Sequence, residues 1–419
     1  MNIETYWHSV RLERDLCRGC TNCLKQCPTQ AIRVQKGKAK ILKERCIDCG
    51  ECIRVCPHHA KKAVTDSFDI LNNYKYNIAL VAPAFFGQFT KTEDCDLILT
   101  ALLKLGFDDT YEVARGAQEI SKKTRELLDS GELIKPVISS ACPAVCRLIA
   151  VRFQNLIPNI IPLRSPMELS AAAARNDATK KTGLSPGEIG IFFISPCAAK
   201  ATAVKDERMV KKSNVNGVIS IKDTYLKLSR TIGSIEELKP LSHAGSIGTR
   251  WAESGGEAAA SGAARCVAVD GIHNVIQLFE DIEDEKLTDV DYVEALACPG
   301  GCVGGPLTAE NSFVARSRLE RICKSMPENG SNIGEEIERM WDTAPVYRPV
   351  MKLNENLQTA MRMAIEIEAL DKKLPGLDCG SCGSPSCRAL AEDIVRGYAS
   401  ETDCIFRLRE QYEKLKDNT

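Results

Sequence analysis

Two short runs carry most of the chemistry visible in this sequence. Residues 17–28 read CRGCTNCLKQCP and residues 46–57 read CIDCGECIRVCP. Each follows C-x2-C-x2-C-x3-C-P, in which three thiolates on a tight irregular loop grip three corners of a 4Fe-4S cube. The fourth, three residues further on at the start of a helical turn, ligates the neighbouring cube. That rule gives one cubane to Cys17, Cys20, Cys23 and Cys56, and the other to Cys46, Cys49, Cys52 and Cys27. Pro28 and Pro57 then set the exit of the chain. Zinc favours two C-x2-C pairs or added histidines around a tetrahedral centre, so two complete runs fit it less well. A further set, Cys379, Cys382, Cys387 and Cys404, forms C-x2-C-x4-C-x16-C. Four isolated cysteines suit zinc or a cubane; the loop glycines and the long third spacing favour the cubane.

The elements that must position a second group of cysteines lie beyond residue 73, where strand-like and helix-like segments alternate as in an α/β domain. The stretch 76–85 reads as a buried strand, followed by a helix with apolar residues at Leu97, Ala101, Leu102 and Leu105. Three more β-rich runs stop at a proline beside a cysteine, at Cys142, Cys197 and Cys298, with Cys302 completing a C-x3-C pair. This places thiolates at the carboxyl ends of strands, where α/β sheets hold ligands. Pro143 and Pro196 also suit the first turn of a helix, whose N-terminus favours a thiolate or an anionic cluster. Gly300, Gly301, Gly304 and Gly305 would let the backbone approach a bulky inorganic ligand. In the tail, residues 388–404 have the spacing of a helix that returns Cys404.

The first two runs resemble bacterial two-cubane ferredoxins, and the three strand-end segments resemble the motifs of FeFe hydrogenases written TSCCPxW, MPCxxK and MACxGGCxxGGG. The resemblance covers roughly residues 1–345. It implies an H-cluster: a 4Fe-4S cubane on Cys142, Cys197, Cys298 and Cys302, with Cys302 bridging to a diiron subsite that carries CO, CN and an azadithiolate. Lys200 matches the lysine that bonds a cyanide ligand, and Pro83 and Ala84 match residues lining the same pocket. The tail is similar to the small 4Fe-4S module of corrinoid iron-sulfur proteins and of the B subunit of membrane electron-transfer complexes. The implied architecture is an N-terminal two-cubane ferredoxin domain (1–72), a two-lobed α/β H-cluster domain (73–350) and a helical C-terminal iron-sulfur module (351–419).

Departures from the family pattern carry functional information. Ala141 stands where catalytic members have a cysteine that passes protons, and alanine cannot transfer one. Ser195 and Leu296 replace methionines beside the diiron unit, while Thr124 and Leu127 occupy the places of relay glutamates. The expected reading is a sensory FeFe hydrogenase, similar to the group D members of anaerobic bacteria that end in a cubane module. It would interconvert H2 with protons slowly and pass a redox signal through three accessory cubanes to a ferredoxin-like or signalling partner, after hydrogenase maturases supply the diiron unit. An ordinary ferredoxin-dependent catalyst and a cubane-only scaffold are the alternatives.

Bulk composition agrees. Fifty-five Lys and Arg balance 56 Asp and Glu, which argues against nucleic acid or an anionic membrane surface. No stretch approaches the ~20 apolar residues of a membrane span, and the N-terminus lacks an apolar leader core. Twenty cysteines without a secretory signature suggest metal ligands in a cytoplasmic protein. Cys95, Cys146, Cys266 and Cys323 remain as ordinary core thiols, and no histidine shows ligand spacing. The glycine-rich stretch at 243–264 lacks a Walker lysine and is expected beside the active-site cavity.

Overall fold

The structure, a computed structural model, describes residues 7–206 and 211–417; the first residues of the N-terminal segment, 1–6, lie outside that range. The chain forms two compact units, one built from residues 1–46, 51–62 and 348–419, the other from 47–50 and 63–347.

In the first unit, β1 (Val10–Leu12) pairs with β4 (Lys61–Ala63), and β2 (Ile32–Gln35) forms an antiparallel hairpin with β3 (Lys38–Ile41). Lys36 and Gly37 take φ of 51° and 70° at the two-residue turn, matching the right-handed twist of the flanking strands. The C-terminal helices Leu357–Lys373 and Cys387–Val395 pack around Ile367, Leu374, Leu390 and Cys404. The second helix stops at Val395 instead of running on to Cys404. Gly397 adopts φ 74°, and a short 3-10 turn, Glu401–Asp403, delivers the cysteine.

The second unit contains two parallel sheets. One has the order β6 (Asp109–Glu112), β5 (Tyr76–Val81), β8 (Ile189–Ser195), β9 (Gly217–Ser220); in its register Val81 faces Ile194. The other has the order β10 (Cys266–Asp270), β11 (Tyr292–Leu296), β7 (Val137–Ile138). All residues of β8 and β11 are buried, as expected of strands covered on both faces. Parallel pairing brings the carboxyl ends of each sheet to one edge, which fixes where the cysteine loops begin.

The apolar run at 76–85 does not continue as strand. β5 ends at Val81, and Pro83–Gln88 turn into a 3-10 helix. Pro83 has no N–H for a ladder, and its fixed φ suits a first helical turn. The next helix spans Cys95–Leu103, leaving Leu105 outside. Longer helices cover the sheets. Pro166–Thr182 opens on the hydroxyl of Ser165, which accepts from the Glu168 N–H, and closes at Gly183 with φ 72°. Among the described residues no helix is long and apolar enough to cross a membrane.

Candidate metal centres

The strand ends of both sheets meet at one cavity of ≈ 80 Å³ in the second unit. Pro83 and Ala84 reach it from β5, Ala141 and Cys142 from β7, Cys197 and Lys200 from β8, and Leu296, Cys298 and Cys302 from β11. Cys142 and Cys197 are the N-cap residues of the helices Pro143–Arg152 and Ala198–Ala203, and the Cys197 Sγ accepts from the Lys200 N–H at 3.4 Å. The helix-start N–H of Lys200 thus points at thiolate sulfur, and the positive ends of the two helix dipoles favour an anionic ligand. Burial pushes the Cys302 thiol up to about 12, with Cys197 adding to the rise, and burial and Cys142 raise Cys197. A metal that displaces those protons relieves this cost. Four thiols converging on one apolar-walled cavity suit a metal cluster.

Glycine shapes the loops in a way the sequence reading did not anticipate. A Cβ on Gly305 would lie 2.2 Å from the Pro196 carbonyl oxygen, and one on Gly304 would lie 2.1 Å from that of Pro299. Gly305 lets the Cys302 loop pack on the Cys197 loop, where Leu307 N–H donates to Pro196 O at 3.1 Å, and Gly304 lets the Cys302 loop fold tightly on itself. Gly301 and Gly305 also line the cavity, so backbone reaches the ligand space here as well.

Ser195 does not line the cavity. Its hydroxyl accepts from the Cys197 N–H at 3.0 Å, so it braces the ligand loop. Thr124 and Leu127 also lie outside the cavity wall, whereas Trp251 and Glu257 from the glycine-rich stretch are in it. Cys146 is buried and directs its thiol to the Ser140 carbonyl.

Sequence reasoning missed an acidic network on this wall. The Glu257 carboxyl accepts hydrogen bonds from Ser139 Oγ and Tyr292 OH, both at 2.7 Å. Burial and the charge of Glu294 push Glu257 up to about 8. Glu294 is also raised by burial, against backbone N–H groups of Ala258 and Gly255 that donate to its carboxylate at 2.7 and 3.0 Å. Burial and the second carboxylate thus favour the protonated form of Glu257 beside the four thiols. One signal was present: Glu294 is an acid inside the apolar run YVEALA.

In the first unit, Cys17, Cys20, Cys23 and Cys56 line one small cavity with Val34 and Ala39. Backbone N–H groups of Ala39 and Ala60 donate to Cys17 and Cys56, both at 3.3 Å, and Ala31 donates to Cys27 at 3.2 Å. Such bonds stabilise thiolate sulfur and tune a cluster. Burial raises Cys17, but the Ala39 bond and the charges of Lys61 and Lys38 outweigh it, for a net lowering. Cys27, Cys46 and Cys52 belong to this unit, and Cys49 to the segment 47–50 of the other. Cys382, Cys387 and Cys404 share the tail core, while hydrogen bonds from Ser381 lower Cys379.

Comparison with known proteins follows the same division. The family described as "Iron only hydrogenase large subunit, C-terminal domain" matches residues 75–262 and 252–306, a "4Fe-4S dicluster domain" matches 9–57, and "Putative Fe-S cluster" matches 374–406. The "Probable cytosolic Fe-S cluster assembly factor oxy-4" of Caenorhabditis elegans is 26% identical over 274 residues, 51% of this chain and 60% of that protein. The periplasmic [Fe] hydrogenase large subunit of Nitratidesulfovibrio vulgaris is 29% identical over 212 residues, 46% of this chain and 50% of that one. The chain thus spans between half and three fifths of the length of these two relatives. A solved [FeFe]-hydrogenase structure matches with TM-score 0.51 at 16% identity, covering 67% of this chain and 98% of the other. Its fold is the one seen here, and the family match spans more than half of the chain. This protein is a member of the iron-only, or FeFe, hydrogenase family.

Proposed function

We propose that the chain is a sensory FeFe hydrogenase, with slow, reversible interconversion of H2 with protons and electrons in an anaerobic cytoplasm. The observation that carries this reading is the convergence of Cys142, Cys197, Cys298, Cys302 and Lys200 on one cavity whose wall has Ala141 where a proton donor would stand. The thiolates would hold the cubane of an H-cluster, installed with the help of hydrogenase maturases, and the Lys200 ammonium suits an anionic cyanide. When bound, the diiron unit supplies the metal chemistry on H2. The chain's own part is to exclude water with Pro83, Ala84, Leu296 and the other apolar wall residues, and to store a proton on Glu257. Cubanes on the ferredoxin and tail cysteines would pass electrons to a redox partner.

Rate separates this reading from its rivals. Matured protein should evolve H2 from a reduced viologen below ~10 turnovers per second, a typical enzyme median. Ala141→Cys should raise that rate by about 10²-fold, within the range for a positioned acid. Fast turnover in the unaltered chain would mark an ordinary catalyst, and an unchanged rate in the variant would show that proton delivery at residue 141 does not limit. The relative described as an Fe-S cluster assembly factor supports a second reading, a cubane-only scaffold, under which neither protein would turn over.

A further inference from the structure

The C-terminal module folds within the same unit as the cavity of Cys17, Cys20, Cys23 and Cys56. The Val34 N–H on β2 donates to the carbonyl of Gly383 at 2.8 Å. Gly383 follows Cys382 directly and adopts φ 85°, and a Cβ there would lie 1.8 Å from the Val34 carbonyl oxygen. The two backbones therefore touch at a point that admits only glycine. Val34 itself lines the cavity of the four ferredoxin thiols. One residue thus meets both cysteine sets, through one hydrogen bond and one peptide link to Cys382.

Buried charge fixes the contact. Arg33 grips Asp393 with two prongs, Nε to Oδ2 at 2.5 Å and Nη2 to Oδ1 at 3.1 Å, and the residues are 4% and 8% exposed. Ser384 Oγ donates to the same carboxylate at 2.8 Å. Arg45 reaches Glu392 at 2.6 Å, one residue earlier on the helix. A two-pronged buried pair specifies orientation as well as attraction. A module that swung free would have no reason to desolvate these groups against the ferredoxin hairpin.

We propose that the C-terminal module is a docked electron relay, exchanging single electrons with the cluster of Cys17, Cys20, Cys23 and Cys56 across the Val34–Gly383 contact. One cluster is oxidised by one electron as the other is reduced by one; no bond forms or breaks and no proton moves. The inference requires cubanes at both sites and does not depend on the diiron unit.

The test uses the full chain loaded with iron and sulfide and left without the diiron unit. After dithionite reduction, electron paramagnetic resonance should show the tail signal split by a neighbouring cluster, and the Val34 amide should exchange slowly with deuterium. Gly383→Val forces a side chain into the Val34 carbonyl, and should abolish the splitting and release the amide with iron content unchanged. If that variant loses its tail iron, Arg33→Met breaks the ion pair without altering either cysteine loop and should give the same two losses. An unsplit tail signal in the unaltered chain, splitting that persists after the Val34 amide is released, or zinc in place of iron in the module would overturn the relay.

Discussion

Glu257→Gln should lower hydrogen evolution by the matured chain about 10²-fold or more, the scale of losing a positioned acid. Glutamine mimics the neutral carboxyl that burial enforces, so it can still accept from Ser139 and Tyr292, and at neutral pH the variant should be at least as stable as wild type. Only the transferable proton is lost. The groups facing Glu257 are Glu294, whose charge raises it, and Lys200, whose charge lowers it, with Tyr292 as hydrogen-bond partner. Because the net value is about 8, evolution that draws on this proton should decline as pH rises past that point, and the variant should lack the inflection. Stability follows the same sign. The folded value lies above the ~4.3 of a free glutamate, so the stabilisation is full below the latter and is lost as pH rises through about 8. Wild-type protein should therefore lose melting temperature relative to Glu257→Gln as pH rises from ~5 to about 8 and level off above that, measured by calorimetry across the range. An unaltered rate in an equally matured variant would assign proton supply to another group.

The second large effect is structural. Arg147→Met should cost about 3–5 kcal/mol, the usual consequence of removing one partner from a buried ion cluster. The Arg147 guanidinium is 2% exposed and lies 3.6 Å from Asp48 Oδ2 and 3.4 Å from Asp206 Oδ2, so its loss removes a buried positive charge from beside two buried carboxylates. It also links the segment around Cys49 to the helix that Cys142 caps. A fall in melting temperature of ~10 °C is expected. The comparison is Arg152→Met on the same helix, whose pair with Glu280 is 39% and 49% exposed and should matter by ~0.5 kcal/mol at most. Equal effects of the two substitutions would mean that the buried cluster contributes no more than a surface pair.

What the sequence disclosed, and what it hid, divides by distance along the chain. Ligand runs such as Cys17 to Cys27 were legible because their geometry is set by spacing within one loop. Cys142, Cys197 and Cys298 were legible for a related reason: a buried β run halted by proline marks a strand end, and parallel sheets gather such ends. Ser195 was read as a pocket residue because it stands where the resembled family has a methionine beside the diiron unit, yet a short hydroxyl two residues before the Cys197 N–H turns to it, and that competition is local backbone chemistry. Glu257 and Glu294 lie in different segments, and only the closing of β11 against the Gly256–Ser261 helix makes them one network. The contact between Val34 and Gly383 is more distant still. Nothing in either segment announces it except a glycine that the cysteine spacing alone does not require.

On the proposed function, the cavity of Cys142, Cys197, Cys298 and Cys302 holds a working H-cluster. Infrared spectra of anaerobically matured protein, recorded before and after exposure to H2, should then show metal-bound CO and CN bands that shift when H2 is admitted. A sample replete in cubane iron that shows no such bands after full maturation would contradict it and leave a hydrogenase-shaped iron-sulfur scaffold.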